Sequence, residues 1–168
     1  MPIVEPEVLM DGDHDIDRCF EVTQRVLNKT FQELRVQRVA LEGMILKPNM
    51  AISGKKAKQR AGVEAVAEKT VRMLKDCVPA SVPGIAFLSG GQSDEEATAH
   101  LDAMNRIGNL PWKLTFSYGR ALQDEALKTW KGSSDNVAEA QKVASHRAGL
   151  TSAAATGAYS RDMETAGV

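Results

Sequence analysis

Short apolar segments alternate with longer helix-patterned segments along this chain, and this alternation limits the fold more than any other feature of the sequence. The predicted strands are residues 1–8, 39–47, 84–88 and 113–117, and the predicted helices follow them at about 13–35, 63–78, 93–107, 120–130 and 135–155. Because parallel neighbours need a helical crossover, the alternation predicts an α/β protein with a parallel sheet. Segment 84–88 is apolar throughout, which is typical of a strand covered on both faces.

The length of the chain leaves two architectures open. Its 168 residues fit four strand–helix units in one domain, 1–155, followed by a small polar segment, 156–168, that we expect to be a flexible C-terminal tail. An open doubly wound sheet would accommodate four such units. A closed (β/α)₈ barrel typically needs about 250 residues, so only half of one would fit. Such a half-barrel would expose two strand edges and an apolar inner face.

Charge and composition exclude several functional classes. The net charge of −1 gives no field that would attract nucleic acid or an anionic membrane, and no apolar stretch is long enough to span a membrane. The N-terminus lacks a signal-peptide pattern, and Cys19 and Cys77 are too few for a disulfide framework, so we expect a cytoplasmic protein. The three histidines share no ligand spacing, so we predict neither a metal nor a cofactor. The lysines from 55 to 58, with Arg60, are interpreted as a solvated face.

Lys47 ends an apolar run and is followed by Pro48, which stops the strand. Burial at such a strand end disfavours the ammonium form, so a lysine there tends toward the neutral, nucleophilic amine. A neutral amine attacks a carbonyl carbon and forms a Schiff base. We expect Leu41, Gly43 and Ile45 to share the lysine's face of the strand, with Gly43 leaving room for a ligand. The alternative is a lysine whose side chain leaves the strand end for water.

Two carboxylates, Glu5 and Glu7, end the first predicted strand. Two residues apart on a regular strand, they would lie on the same face. Two carboxylates in one poorly hydrated pocket suit proton transfer near neutral pH, because one of them then holds its proton more tightly. Pro6 between them restricts where this strand can lie in a sheet. The alternative is a solvated strand end.

The third and fourth predicted strands end in glycine-containing turns that lead into helices. The turn sequences are Ser89-Gly90-Gly91-Gln92-Ser93, in which Ser93 and Glu96 fit a capping box, and Ser117-Tyr118-Gly119-Arg120. Backbone N–H groups at such turns favour a phosphate, Gly119 lets the backbone approach an anion, and Arg120 can bind it with two parallel bonds. The alternatives are an ordinary turn before a capped helix and a surface arginine.

In their order along the chain, four segments resemble the class I fructose-bisphosphate aldolase family, and the likeness covers essentially the whole chain. The segments are 2–7 (PIVEPE), 41–50 (LEGMILKPNM), 87–93 (FLSGGQS) and 116–122 (FSYGRAL). Members of that family are (β/α)₈ barrels. The resemblance therefore implies that this chain is the second half of such a barrel, from its fifth strand onward.

The resemblance also implies roles for individual residues. Lys47 matches the lysine that forms the Schiff base with substrate. Glu5 matches a carboxyl group used in carbinolamine dehydration and proton transfer, and Glu7 lies beside it with a less defined role. The positions that match those holding a substrate phosphate are Ser89, Gly90, Gly119 and Arg120.

The reaction implied by the resemblance is the reversible, metal-independent cleavage of fructose 1,6-bisphosphate to dihydroxyacetone phosphate and glyceraldehyde 3-phosphate, by a protein that commonly forms homotetramers. The family's N-terminal half-barrel, with its aspartate base, further lysines and the groups for the second phosphate, is absent here. Tyr159 does not stand where eukaryotic members have their terminal tyrosine. We therefore expect little activity from the chain alone, with the missing half or a second copy of the chain as its partner in a homo-oligomer.

Two other functions fit the same residues. One is a non-catalytic half-barrel module that dimerises or binds sugar phosphates through the loops of Ser89 and Arg120. The other is a different lysine-dependent aldolase that acts on another substrate.

Overall fold

Within residues 1–165, which the computed structural model describes, strands and helices alternate as the sequence predicts. The strands are β1 (Ile3–Val4), β2 (Ile45–Leu46), β3 (Gly84–Phe87) and β4 (Lys113–Phe116). The α-helices are α1 (Ile16–Val36), α2 (Val63–Cys77), α3 (Asp94–Ile107), α4 (Arg120–Trp130) and α5 (Val137–Ala154). Short 3₁₀ helices cover Leu41–Gly43, Ser134–Asn136 and Arg161–Glu164.

The four strands form one parallel sheet in the order β1-β2-β3-β4, which is also their order along the chain. The register aligns Val4 with Leu46, Leu46 with Ile85, and Ile85 with Leu114. Because all four strands run in the same direction, their carboxyl ends meet at one edge of the sheet. The four predicted site segments all follow these ends.

Helices cover only one face of the sheet. Each of α1 to α4 packs against the next, and the side chains beneath this layer, including Leu46, Phe87 and Leu114, are buried. On the opposite face Ile3 is 56% exposed, and Thr115 on β4 is also exposed. A doubly wound sheet would be covered on both faces, so the architecture is half of a (β/α)₈ barrel. Within residues 1–165, no helix is long and apolar enough to cross a membrane.

Two predicted strands are shorter in the structure. β1 ends at Val4 rather than continuing to residue 8, in keeping with the missing N–H of Pro6. β2 begins at Ile45, because Leu41–Gly43 forms a 3₁₀ turn that contains Glu42 and Gly43, both poor strand formers. The prediction that Leu41 and Gly43 share the strand face of Lys47 is therefore wrong.

Helix starts agree with the sequence more closely. Asp15 caps α1 by accepting a hydrogen bond from the N–H of Arg18 at 2.8 Å. The capping box of Ser93 and Glu96 at the start of α3 is confirmed, with both of its hydrogen bonds present. These caps fix where the loops after β1 and β3 end.

Segment 156–165 is docked on the helices, which differs from the loose tail expected from its small polar residues. Tyr159 is buried, its N–H donates to Asp102 at 2.9 Å, and its carbonyl accepts from Arg106 at 2.6 Å. Glu164 accepts two hydrogen bonds from Arg147. These partners lie on α3 and α5, far away in sequence, so composition alone gives no sign of them. The last three residues of the expected tail, 166–168, lie outside the described part of the chain.

Candidate functional site

Lys47 and Glu5 form an ion pair at the carboxyl edge of the sheet. The register of β1 and β2 brings them opposite each other, with the N–H of Lys47 donating to the carbonyl of Val4 at 2.8 Å. Lys47 Nζ lies 3.0 Å from Glu5 Oε1, and the two side chains are 21% and 44% exposed. At this distance a proton can pass directly between the two groups.

The segment after Lys47 is anchored by Asn49, for which no role was predicted from the sequence. Its buried side-chain oxygen accepts from the N–H of Val8 at 3.0 Å, and its amide nitrogen donates to Thr23 Oγ1 at 3.0 Å. The carbonyl of Pro48 accepts from the N–H of Leu88 at 3.1 Å. Asn49 therefore ties together the chain segments that carry Glu5 and Lys47. In the sequence, the signal that could have identified Asn49 was an amide side chain two residues after Lys47.

Glu7 lies apart from the Lys47–Glu5 pair in its contacts. A Cβ added at Gly90 would lie 3.5 Å from Glu7 Oε1, so Glu7 faces the turn after β3. The regular strand geometry that would place Glu5 and Glu7 on one face ends at Val4. The structure thus brings Glu5 to the lysine and Glu7 to the predicted phosphate loop.

The turn after β3 depends on Gly91. The N–H of Gln92 donates to the carbonyl of Ser89 at 3.2 Å, and Gly91 has a φ of +80° at the third position of this turn, where a type II turn requires it. Arg60 braces the turn by donating to the carbonyl of Gly91 at 2.8 Å while it also binds Glu96. Arg60 is exposed, in keeping with the solvated face expected from the sequence, and it makes this contact from the surface.

The start of α4 is better suited to an anion than the start of α3. The first turn of α3 carries its capping box and three acidic residues. By contrast, α4 begins after Gly119 with no side-chain cap and no acidic residue in its first turn. A Cβ at Gly119 would meet nothing within 4 Å, so a ligand could approach the backbone there. The uncapped N–H groups and the helix dipole favour a negative charge at this point.

A cleft of about 350 Å³ lies where the loops after β3 and β4 meet. Ser89 and Arg120 both line it, so the structure brings together the two predicted phosphate-binding loops. Gly90 and Gly119 flank these residues in the chain. The cleft is also lined by Lys55, which the sequence placed on a solvated face. Within residues 1–165, no group of three His, Cys, Asp or Glu side chains is placed to hold a metal ion.

His100 supports the cleft from beneath. Its Nδ1 lies 2.6 Å from Gln92 Oε1, and Gln92 lines the cleft. Burial lowers the pKa of His100 from its ordinary 6.5 to about 4, although the nearby Glu96 opposes the shift. The ring is therefore neutral at pH 7, and with the amide oxygen as acceptor it donates from Nδ1.

Acidification is expected to destabilise the fold through His100. Its folded-state pKa lies below the unfolded value, so its contribution is complete above pH 6.5 and is lost as the pH falls toward 4. The full loss would be about 3 kcal/mol. Urea unfolding at neutral pH and near pH 5 should reveal part of it, and His100→Gln should flatten that pH dependence whereas His146→Gln, at a half-buried position, should not. An equal slope in wild type and His100→Gln would contradict the assignment.

The Lys47–Glu5 pair and the cleft of Ser89 and Arg120 lie at the carboxyl ends of the strands of this half-barrel, the edge at which (β/α)-barrel enzymes have their active sites. The model of one family, fructose-bisphosphate aldolase class-I, matches residues 1–168. The chain therefore belongs to the class I fructose-bisphosphate aldolase family.

Relatives in bacteria, plants and protists support this assignment. The chain is 56% identical to the probable fructose-bisphosphate aldolase class 1 of Xanthomonas campestris, over 95% of this chain and 48% of that protein. It is 50% identical to cytosolic fructose-bisphosphate aldolase 4 of Arabidopsis thaliana, over 98% of this chain and 42% of that protein. The solved aldolase of Plasmodium falciparum superposes with a TM-score of 0.92 at 49% identity, over 95% of this chain and 46% of that one. The chain thus spans about half the length of the relatives it matches.

Proposed function

We propose that this chain is the half of a class I fructose-bisphosphate aldolase that supplies the Schiff-base lysine, Lys47, and one phosphate site. The observation that carries the proposal is the 3.0 Å pair between Lys47 Nζ and Glu5 Oε1 at the carboxyl edge of the sheet. The reaction would be the reversible cleavage of fructose 1,6-bisphosphate to dihydroxyacetone phosphate and glyceraldehyde 3-phosphate. The substrate's phosphate would bind near Ser89, Gly90, Gly119 and Arg120, a set supported by the cleft and the uncapped start of α4.

The chemistry follows from the amine and its acid. Glu5 accepts a proton from the ammonium group of Lys47, and the neutral amine attacks the ketone carbon to form a carbinolamine. Glu5 returns a proton to the departing hydroxyl group, which leaves as water and gives a protonated imine. The imine withdraws electrons, so the C3–C4 bond breaks toward it and leaves an enamine. A base must take the proton of the C4 hydroxyl group. In the family this is an aspartate of the absent half-barrel. Glu7, beside Gly90, would affect the phosphate end of the substrate.

The partner that this mechanism needs is the other half of the barrel. The inner face of the sheet is open, and both edge strands, β1 and β4, lack a neighbour on one side within residues 1–165. We propose that an N-terminal half-barrel or a second copy of the chain closes this surface in a cytoplasmic homo-oligomer, with no nucleic-acid or membrane partner. The isolated chain should have little activity, because a half-barrel excludes water poorly from the imine.

Borohydride trapping tests the proposal. The chain is incubated with dihydroxyacetone phosphate, alone and with the N-terminal half of a relative, then reduced and mapped by peptide mass spectrometry. A covalent adduct on Lys47 is expected in the wild type and in Lys58→Met, which replaces an exposed lysine, but not in Lys47→Met. Failure to trap any adduct on Lys47 even with the missing half supplied would defeat the assignment.

The open inner face also favours a second candidate, a non-catalytic half-barrel that dimerises or binds sugar phosphates. Thermal stabilisation by dihydroxyacetone phosphate without any borohydride adduct would support this candidate over the aldolase.

A further inference from the structure

Lys55 reaches the anion-binding cleft from a loop whose backbone is held firmly. Its N–H donates to the carbonyl of Met10 at 2.8 Å, and the neighbouring N–H groups of Gly54 and Lys56 donate to the carbonyls of His14 and Gly12 at 2.9 and 3.0 Å. The loop after β2 is thus joined to the loop after β1 by three hydrogen bonds. The side chain of Lys55 remains 44% exposed, so its ammonium group can move while its backbone cannot.

Lys55 is paired with Asp11, and Arg120 acts on the same carboxylate. Lys55 Nζ lies 2.9 Å from Asp11 Oδ1. The hydrogen bond and the charge of Lys55 lower the pKa of Asp11, and the charges of Lys56 and, more weakly, Arg120 lower it further. Asp11 is therefore a negative charge paired with Lys55, which lines the cleft, and it also lies in the field of Arg120, which lines it too. An exposed pair of this kind contributes little to the stability of a fold, so exchanging Asp11 for another anion costs little.

The other charges of the cleft are largely neutralised by their own partners. Asp94 lies 3.3 Å from Arg147, and Glu125 lies 2.6 Å from Lys128. Among the described lining residues this leaves Arg120 with no carboxylate within 4 Å, Lys55 paired with Asp11, which does not itself line the cleft, and Asp124 as the opposing charge.

Gln92 also carries a side-chain donor without a partner among the described residues. Gln92 Nε2 is buried and has no hydrogen-bond partner within residues 1–165, while its amide oxygen is held by His100. Gln92 lines the same cleft as Lys55. A buried amide donor normally has a partner, so this group is open to an acceptor oxygen from water or a ligand.

We propose that Lys55 binds the phosphate group of the ligand in this cleft, and that Asp11 competes with the phosphate for it. A phosphate dianion carries more charge than a carboxylate and offers more acceptor oxygens, so it draws the ammonium group away from Asp11. The inference rests on the proposed function only in taking the cleft as a phosphate site. It adds a specificity-determining lysine and an internal competing anion.

Calorimetric titration with inorganic phosphate at low salt tests the proposal on the full 168-residue chain. Lys55→Met should weaken phosphate binding roughly five- to tenfold, the effect of losing one charge-assisted bond. The matched control Lys58→Met removes an equal charge from an exposed neighbouring position and should leave the affinity within about twofold. Asp11→Asn should tighten binding by roughly two- to fivefold, because Lys55 is then free. Circular dichroism verifies that each variant is folded.

Three outcomes would overturn the proposal. If Lys55→Met binds phosphate with wild-type affinity while Arg120→Met loses binding, then Lys55 only pairs with Asp11 and does not bind the phosphate. If Lys55→Met and Lys58→Met weaken phosphate binding equally, the lysines act only through the general positive electrostatic field of the loop. Absence of phosphate binding in the wild type and in every variant would show that the cleft is not a phosphate site.

Borohydride trapping on Lys47 does not depend on Lys55, so it separates this failure from a failure of the proposed function. Unchanged affinity in Asp11→Asn would overturn the competition alone.

Discussion

Replacing Gly91 with alanine is expected to destabilise the fold by roughly 2–5 kcal/mol. At a φ of +80° an alanine pays for a left-handed backbone, and its Cβ would lie 2.6 Å from Met10 Cβ and 3.2 Å from Ile52 Cδ1. Met10 cannot give way easily, because the clash involves its Cβ and its carbonyl is bound by the N–H of Lys55. The strain must therefore move the turn after β3 or open the core beside it.

Urea unfolding followed by circular dichroism measures this loss. Gly149→Ala is the matched control, since Gly149 lies exposed within α5 with no atom within 4 Å of an added Cβ. That change should stabilise the helix by about 0.5–1 kcal/mol, so the same substitution should have opposite signs at the two positions. An unfolding midpoint for Gly91→Ala at or above that of the wild type would show that the turn is not constrained as described.

Replacing Arg147 with methionine is expected to cost about 3 kcal/mol and to release segment 156–165. Arg147 donates to both oxygens of Glu164, at 3.0 and 2.6 Å, and its side chain is 10% exposed. Its removal leaves the poorly hydrated carboxylates of Glu164 and Asp94 without their cation. The loss lies at the low end for a buried pair, because Glu164 keeps a hydrogen bond from the Tyr159 hydroxyl group at 2.8 Å.

Limited trypsin digestion reports the release of the segment, because Arg161 lies exposed within it. Cleavage after Arg161 should become faster in Arg147→Met and in Glu164→Gln. In Lys142→Met it should stay at the wild-type rate, because the pair of Lys142 with Glu139 is exposed and contributes under about 1 kcal/mol. Equal cleavage rates in all four proteins would mean that Arg147 does not hold the segment.

The part of the site that the sequence predicted depends on the register of parallel strands. Once Glu5 and Lys47 end neighbouring parallel strands, the hydrogen-bonded register brings them together without further information. The same holds for the loops of Ser89 and Arg120, which end β3 and β4. The capping box at Ser93 is local and could be read directly.

What the sequence missed depends on contacts between distant segments. Nothing near Lys55 or Arg60 in the sequence indicates that one meets Asp11 and the other the carbonyl of Gly91, because both contacts arise only when the loops fold over the sheet edge. The docking of Tyr159 on Asp102 likewise joins residues 57 positions apart. Coverage of the sheet on only one face followed from the family resemblance and not from the strand pattern, since the short strand β3 is apolar along its whole length in either architecture.

The position of Glu5 just after an outer strand makes the Lys47–Glu5 pair sensitive to how the sheet is completed. Lys47 follows an interior strand, flanked by β1 and β3, whereas Glu5 follows β1, which has no neighbour on its far side within residues 1–165. The protein surface that packs against the free edge of β1 will determine how much water reaches the carboxylate of Glu5. The surroundings of Lys47, by contrast, come mainly from this chain. Closure of the barrel by a second half would therefore change the surroundings of Glu5 more than those of Lys47. The pH dependence of imine formation at Lys47 would then report whether the barrel is closed.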